Sequence, residues 1–220
     1  DGAVAAAQEV IVPPAAQEGY LAHLQAAFLE TGDLPWSQED GPSPVLGRVL
    51  EAAELLLELP TSGLTRAAVL RVLGHPALGR RPEAPFAGAW ARWCGDLGIV
   101  RGLDRRAWEG SYLDREALHW DQGLKRLALG AFLEEGCAFA LDGARYTPRP
   151  VADLAAGGAF LEAARRLLEE ASELCGSTRP LRAWVDRIST FLEAWIAAED
   201  EAATRAFARV RAALEGLREA

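Results

Sequence analysis

The 220-residue sequence has no methionine and only three histidines and three cysteines, and it is short of positive charge, with 23 lysines and arginines against 32 aspartates and glutamates. The resulting formal net charge of −9 argues against a surface that grips nucleic acid by bulk attraction, because such surfaces carry clustered positive charge. Any contact of that kind must be local. No apolar run approaches the roughly 20 residues of a membrane span, and the alanine-rich start lacks the basic region of a signal peptide. Cys94, Cys137 and Cys175 are odd in number and widely spaced. That pattern fits no zinc-ligand spacing and points to a reducing compartment, so a soluble cytoplasmic chain with no membrane partner is expected. The absent methionine includes the first position, and Asp1 is expected to lie inside something longer.

Catalytic signatures are missing as well. There is no GxxxxGK[ST] loop to cradle phosphates, and no GxGxxG, GxSxG or HExxH, so neither an ATPase nor a common hydrolase site is supported. His23, His75 and His119 are scattered, and each reads as a polar core or turn residue. Asp114, Glu116 and Asp121 are the nearest thing to a carboxylate cluster, better explained as helix caps and turn charges than as metal ligands or acid–base groups. No catalytic residue, cofactor or metal is expected.

What the chain does have is a 50% hydrophobic composition dominated by good helix formers, with alanine, leucine, glutamate and arginine most frequent. A mainly α fold follows. Between Gln8 and Pro14 the run EVIVPP reads as a short strand with no evident partner downstream. Helical spacing of apolar residues then predicts helices over Gln17–Glu30, Val45–Leu59, Pro85–Leu97, Trp120 to about Glu135, Ala152–Leu174, Arg179–Ile196 and Asp200–Ala220. Thr65 can cap a shorter helix ending at Leu73, and Gly98 can close the one before it. Gly157-Gly158 is expected to delay the start of its helix, and Gly136–Pro150 reads as a loop. The breaker-rich stretch Ser37–Pro44 divides the chain into 1–44 and 45–220.

The segment Gly98–Leu133 is the most constrained. Gly123 and Gly130 lie seven apart on one helix face, each at a cost of about 1 kcal/mol against alanine, which suggests that another backbone packs closely there. The preceding loop mixes Arg101, Arg105, Arg106 and Arg115 with Trp108 and Tyr112, the chemistry that stacked or phosphate-bearing ligands need. Those arginines can equally pair with Asp104, Glu109 and Asp114 at the surface. Trp90, Trp93, Trp184 and Trp195 fall on apolar stripes and read as core, whereas Trp36 and Trp108 lie in loops and are freer to bind.

The order of four segments resembles RecC, the gamma subunit of exodeoxyribonuclease V: LLLELPTSGLTRAAVLRVLGHPALGRR (Leu55–Arg81), the turn GIVRGLD, WDQGLKRLALGAFL, and RPLRAWVDRISTFLEAWI (Arg179–Ile196). Upstream, the strand, helix and loop up to Asp40 look like the connection from a helicase-like core. The resemblance implies an irregular multi-helix bundle like the 2B domain of superfamily 1 helicases over 45–220, with 1–44 a remnant of the adjoining core that carries one N-terminal strand. In active motors the equivalent strand leads to an arginine of the nucleotide site; here it leads to Pro13-Pro14-Ala15-Ala16, in keeping with a non-catalytic subunit. The implied partners are RecB-like and RecD-like subunits and double- and single-stranded DNA. On that basis Arg101, Arg105, Arg106, Trp108, Arg115, Lys125 and Arg126 are the expected DNA-facing residues. The rival reading is a helical protein–protein adaptor with no DNA contact, for which the acidic charge speaks.

Overall fold

The structure is a computed structural model that describes residues 44–220 except 80–86, 113–116, 142, 176–177 and 219–220. The expected strand at Gln8–Pro14, the helix at Gln17–Glu30 and Trp36 lie outside the described residues, which all belong to the compact unit Pro44–Ala220.

The mainly α expectation holds. The described elements are α1 (Pro44–Glu58), α2 (Arg66–Leu73), α3 (Ala87–Asp96), α4 (Trp120–Leu129), a hairpin of β1 (Phe139–Leu141) and β2 (Ala144–Tyr146), α5 (Leu154–Glu173), α6 (Leu181–Trp195) and α7 (Glu201–Arg218). Their starts are set by side chains that satisfy otherwise orphaned N–H groups. Thr65 accepts from Ala68 N at 3.3 Å, Asp153 from Ala156 N at 2.9 Å, and Asp200 from Ala203 N at 2.6 Å. At the end of α3, Gly98 takes a left-handed φ of +70° while Ile99 N reaches back to the Cys94 carbonyl at 3.0 Å, the geometry that glycine permits at a helix end.

One apolar core runs through the described unit. α1 packs along α7, α7 along α6, and α4 along α5, while α2 touches α1, α3 and α5. Val49, Leu56, Val69, Phe160, Leu167, Leu168 and Leu192 are all at most 1% exposed at the centre of these contacts. Trp90 and Trp195 are buried as expected, and Trp93 and Trp184 half-buried. The Trp195 indole donates to Glu170 Oε2 at 2.6 Å, which satisfies its one donor. Cys94 is buried in the same core, and that burial pushes its thiol up to about 12.

Three details depart from the sequence reading. The helix expected to run from Trp120 to about Glu135 stops at Leu129, because at Gly130 the chain meets the backbone of Arg149 and Pro150. The loop expected over Gly136–Pro150 contains the β1–β2 hairpin, with Phe139 opposite Tyr146 and Leu141 opposite Ala144. Gly143, between the strands, has the left-handed φ of +80° that such a tight turn demands. Third, α5 begins at Leu154, so the two glycines do not delay it; Gly157 instead leaves room for the Val151 side chain, whose Cγ2 is 2.8 Å from where a Cβ would sit.

The two glycines of α4 turn out to be there for space, though not for the same neighbour. A Cβ on Gly130 would strike the Arg149 carbonyl, a backbone group, whereas a Cβ on Gly123 would lie 2.5 Å from Ile99 Cδ1, a side chain. Gly158, by contrast, has nothing within 4 Å of its Cβ position. Gly130→Ala is therefore expected to destabilise the domain by about 1–3 kcal/mol through overpacking, and Gly158→Ala to stabilise it by about 0.5–1 kcal/mol through helix propensity. Urea midpoints at constant slope measure both, and equal shifts for the two variants would contradict the packing account.

Candidate nucleic-acid interface

The turn Gly98–Leu103 is held from two sides by backbone hydrogen bonds. Arg66 N donates to the Val100 carbonyl at 2.9 Å and Gly102 N to the Gly63 carbonyl at 3.0 Å, which fastens it to the start of α2. Val100 N and Arg101 N both donate to the Leu118 carbonyl, Trp120 N donates to Gly102 and Asp121 N to Leu103, which fastens it to the start of α4. Beneath these contacts the fully buried Trp120 indole donates to the Leu64 carbonyl at 2.8 Å. Two backbone positions carry the bend. Gly102, at φ +79°, has no space for a Cβ against the Ala107 methyl, and Leu118 is held at φ +80°, a conformation that side chains disfavour.

From this base, Arg105–Trp108 forms a single 3-10 turn capped by Asp104, whose carboxylate accepts from Arg106 N at 2.8 Å. The geometry sorts the residues expected to face DNA. Trp108 is only 4% exposed and lies beneath the Arg101 guanidinium, 4.8 Å from the ring centroid. The expectation that its loop position leaves it freer to bind is thus corrected: the 3-10 turn folds the indole back under the loop, where it supports Arg101 instead of stacking a ligand. Arg101, Arg105 and Arg106 are exposed, and none of the ion pairs among the described residues involves them. Arg115 lies outside the described residues.

Lys125 and Arg126, adjacent in sequence, have different surroundings. Lys125 Nζ is 2.7 Å from Asp121 Oδ2 and 5.8 Å from the Tyr146 ring centroid. The Asp121 hydrogen bond raises its pKa against the opposing effect of partial burial, so it stays charged at neutral pH. Arg126 is half-buried and acts as a clamp: Nη1 donates to the Leu97 carbonyl and Nε to the Thr147 carbonyl, both at 2.9 Å. Burial, and secondarily the Arg149 guanidinium, lower its pKa. Its expected place in a free basic pair is therefore corrected, since its donors tie the end of α3 to the segment after β2.

Sequence reasoning missed Arg66. It is exposed, without an ion pair among the described residues, and bonded through its N–H to the residue before Arg101, with its guanidinium reaching toward Gly95 on α3. Nothing in the linear spacing of 35 residues could signal that approach. His119 is buried and caps α4, its Nδ1 accepting from Gln122 N at 3.2 Å. Among the described residues no group of His, Cys, Asp or Glu is arranged to hold a metal ion, and no helix is long and apolar enough to cross a membrane.

Residues 47–220 match the family model described as the RecBCD enzyme subunit RecC fourth domain. The chain belongs to the RecC family, as the order of its segments implied. No curated protein matches it.

His119 makes this region sensitive to acid. Burial lowers its pKa below the ordinary value near 6.5, outweighing Asp121, Asp104 and a hydrogen bond with the Leu103 backbone, which raise it. A base whose folded pKa is depressed contributes stability that is present above its unfolded pKa and lost as pH falls below about 6.5 toward the folded value. Protonation also abolishes the Nδ1 acceptor. The melting temperature of the wild type is expected to drop more steeply between pH 7.5 and 5 than that of His119→Asn, which keeps a neutral cap. Parallel curves for the two proteins would show that His119 does not set the acid limb.

Proposed function

We propose that this domain of a RecC-type subunit guides DNA strands and docks partner subunits within a RecBCD-type complex, and performs no chemistry itself. In this reading residues from about Val45 onward form a 2B-like helical domain, and 1–44 is a remnant of a helicase-like core. RecB-like and RecD-like subunits supply the helicase and nuclease activities, double- and single-stranded DNA is the shared substrate, and the setting is double-strand-break repair and homologous recombination in the cytoplasm.

The observation that carries this reading is the anchored loop with its exposed arginines, which have no ion pair among the described residues. In a chain of net charge −9, Arg101 stands on a turn whose backbone is bonded to two helices, and Arg105 and Arg106 stand on the 3-10 turn that directly follows it, so the positive charge is local. Phosphate contacts need that combination, since they set register and orientation without reading sequence. Arg66 extends the cationic surface toward α3.

A docking role is favoured by a separate observation. Tyr112 is 98% exposed and Phe132 is 87% exposed, more than any other large apolar side chain among the described residues. Aromatic side chains presented this way are enriched where proteins meet. These aromatics support the partner-docking half of the proposal, and a helical adaptor with no DNA contact is the rival reading that the same exposure favours.

The test is binding of forked DNA by the intact complex with Arg101, Arg105 and Arg106 changed together to glutamate. Affinity at low salt is expected to fall at least about tenfold, and the slope of log K against log salt to shrink by about 0.9 for each phosphate that is no longer neutralised. Unchanged affinity and slope would assign the loop to subunit docking alone.

A further inference from the structure

Between α4 and α5 lies a cavity of about 160 Å³, open to solvent on one side. Its floor is apolar, built from Leu124, Leu161 and Leu168. Its mouth carries two ion pairs, Asp121 with Lys125 and Arg165 with Glu169, each at 2.7 Å. Neither helix packing nor capping accounts for the space, since the two pairs are satisfied on their own helices and leave the apolar floor uncovered.

The shape and chemistry select a ligand. Flat heterocycles have apolar faces and edges that both donate and accept hydrogen bonds; this slot offers apolar walls, with cationic donors and carboxylate acceptors around the opening. A volume of about 160 Å³ is enough to enclose one six-membered ring, and a fused purine would project from the open side. The wall also includes Leu103, which belongs to the anchored turn. Along the chain Leu103 is two residues from Arg101 and two from Arg105, at most about 7 Å of extended backbone in either direction. The wall of the slot is therefore continuous in backbone with the turns that carry the arginines.

We propose that this cavity receives an unstacked pyrimidine base of a DNA single strand whose phosphates lie on Arg101, Arg105 and Arg106. The proposal rests on the strand-guiding reading and adds to it: the backbone is held by the loop while one base at a time enters the α4–α5 slot. Such a slot discriminates by ring size, and no base-specific pairing is required.

The full chain, titrated with fluorescent dT20 and dA20, tests this. dT20 is expected to bind roughly tenfold more tightly than dA20, the scale of one added base contact. Ala128→Phe, which fills the slot from its wall, is expected to bring dT20 down to the dA20 level and leave dA20 unchanged, while R105E/R106E weakens both. If dT20 and dA20 bind equally and Ala128→Phe changes neither while R105E/R106E weakens both, the slot assignment is overturned and strand guidance stands. If neither oligonucleotide binds, both fall. Loss of partner-subunit association in Ala128→Phe with unchanged oligonucleotide binding would make the slot a seat for a protein side chain, which also overturns the proposal. A photocrosslinking arm needs no variant: a dT20 carrying 4-thiothymidine is expected to crosslink to 121–128 or 161–169, and crosslinks confined elsewhere overturn the base assignment.

Discussion

A single buried donor organises this domain. The Trp120 indole is fully enclosed, and an enclosed N–H left without an acceptor costs about 1–3 kcal/mol, so the bond to the Leu64 carbonyl fixes where α4 begins relative to the turn between α1 and α2. That contact joins positions 56 residues apart. Once it is made, the surrounding backbone has little choice: Gly102 must bond to Gly63 on one side and to Trp120 on the other, and Ile99 must fall against the face that Gly123 leaves open. The arginine loop is the outer end of this arrangement, and its position is a consequence of core packing.

Helices were legible because their signals are local. Thr65, Asp153 and Asp200 each bond within three residues of themselves, and the apolar spacing of α1 or α6 is a property of one segment. The glycine pair was half legible: repeated glycine on one face announced a close neighbour, and only the fold could show that Gly130 meets backbone and Gly123 a side chain. The hairpin left a signal in Asp142-Gly143, but flanking strands of three residues each are too short to display an alternating pattern. At the candidate site, residue type alone could not separate Arg105 from Arg126. One points to water and the other commits its donors to two carbonyls from distant segments, a difference created by tertiary contacts.

The same distinction governs the electrostatics. Several arginines sit one helical turn from a glutamate, as in Arg165 with Glu169, Arg166 with Glu170 and Arg205 with Glu201, and contribute little field beyond their own neighbourhood. Others bridge helices, as Arg218 does between Glu215 and Asp186. Ten exposed arginines among the described residues have no such pair, and Arg101, Arg105 and Arg106 are the three of them that fall within six residues of one another. In the proposed strand-guiding role, a small cationic turn on an acidic scaffold would hold a polyanion loosely, which suits a polymer that must slide and would be hindered by a broad basic face.

Burial also divides the sulfur chemistry of the domain into an inert centre and a reactive rim. Cys94 is fully enclosed and its thiol is pushed up to about 12, so it is held as the unreactive thiol and shielded from reagents while the fold is intact. Cys137 and Cys175 are exposed, one beside the hairpin and one after α5. Oxidants and thiol reagents therefore meet this domain only at its periphery, and a third modified cysteine would report that the helices have come apart.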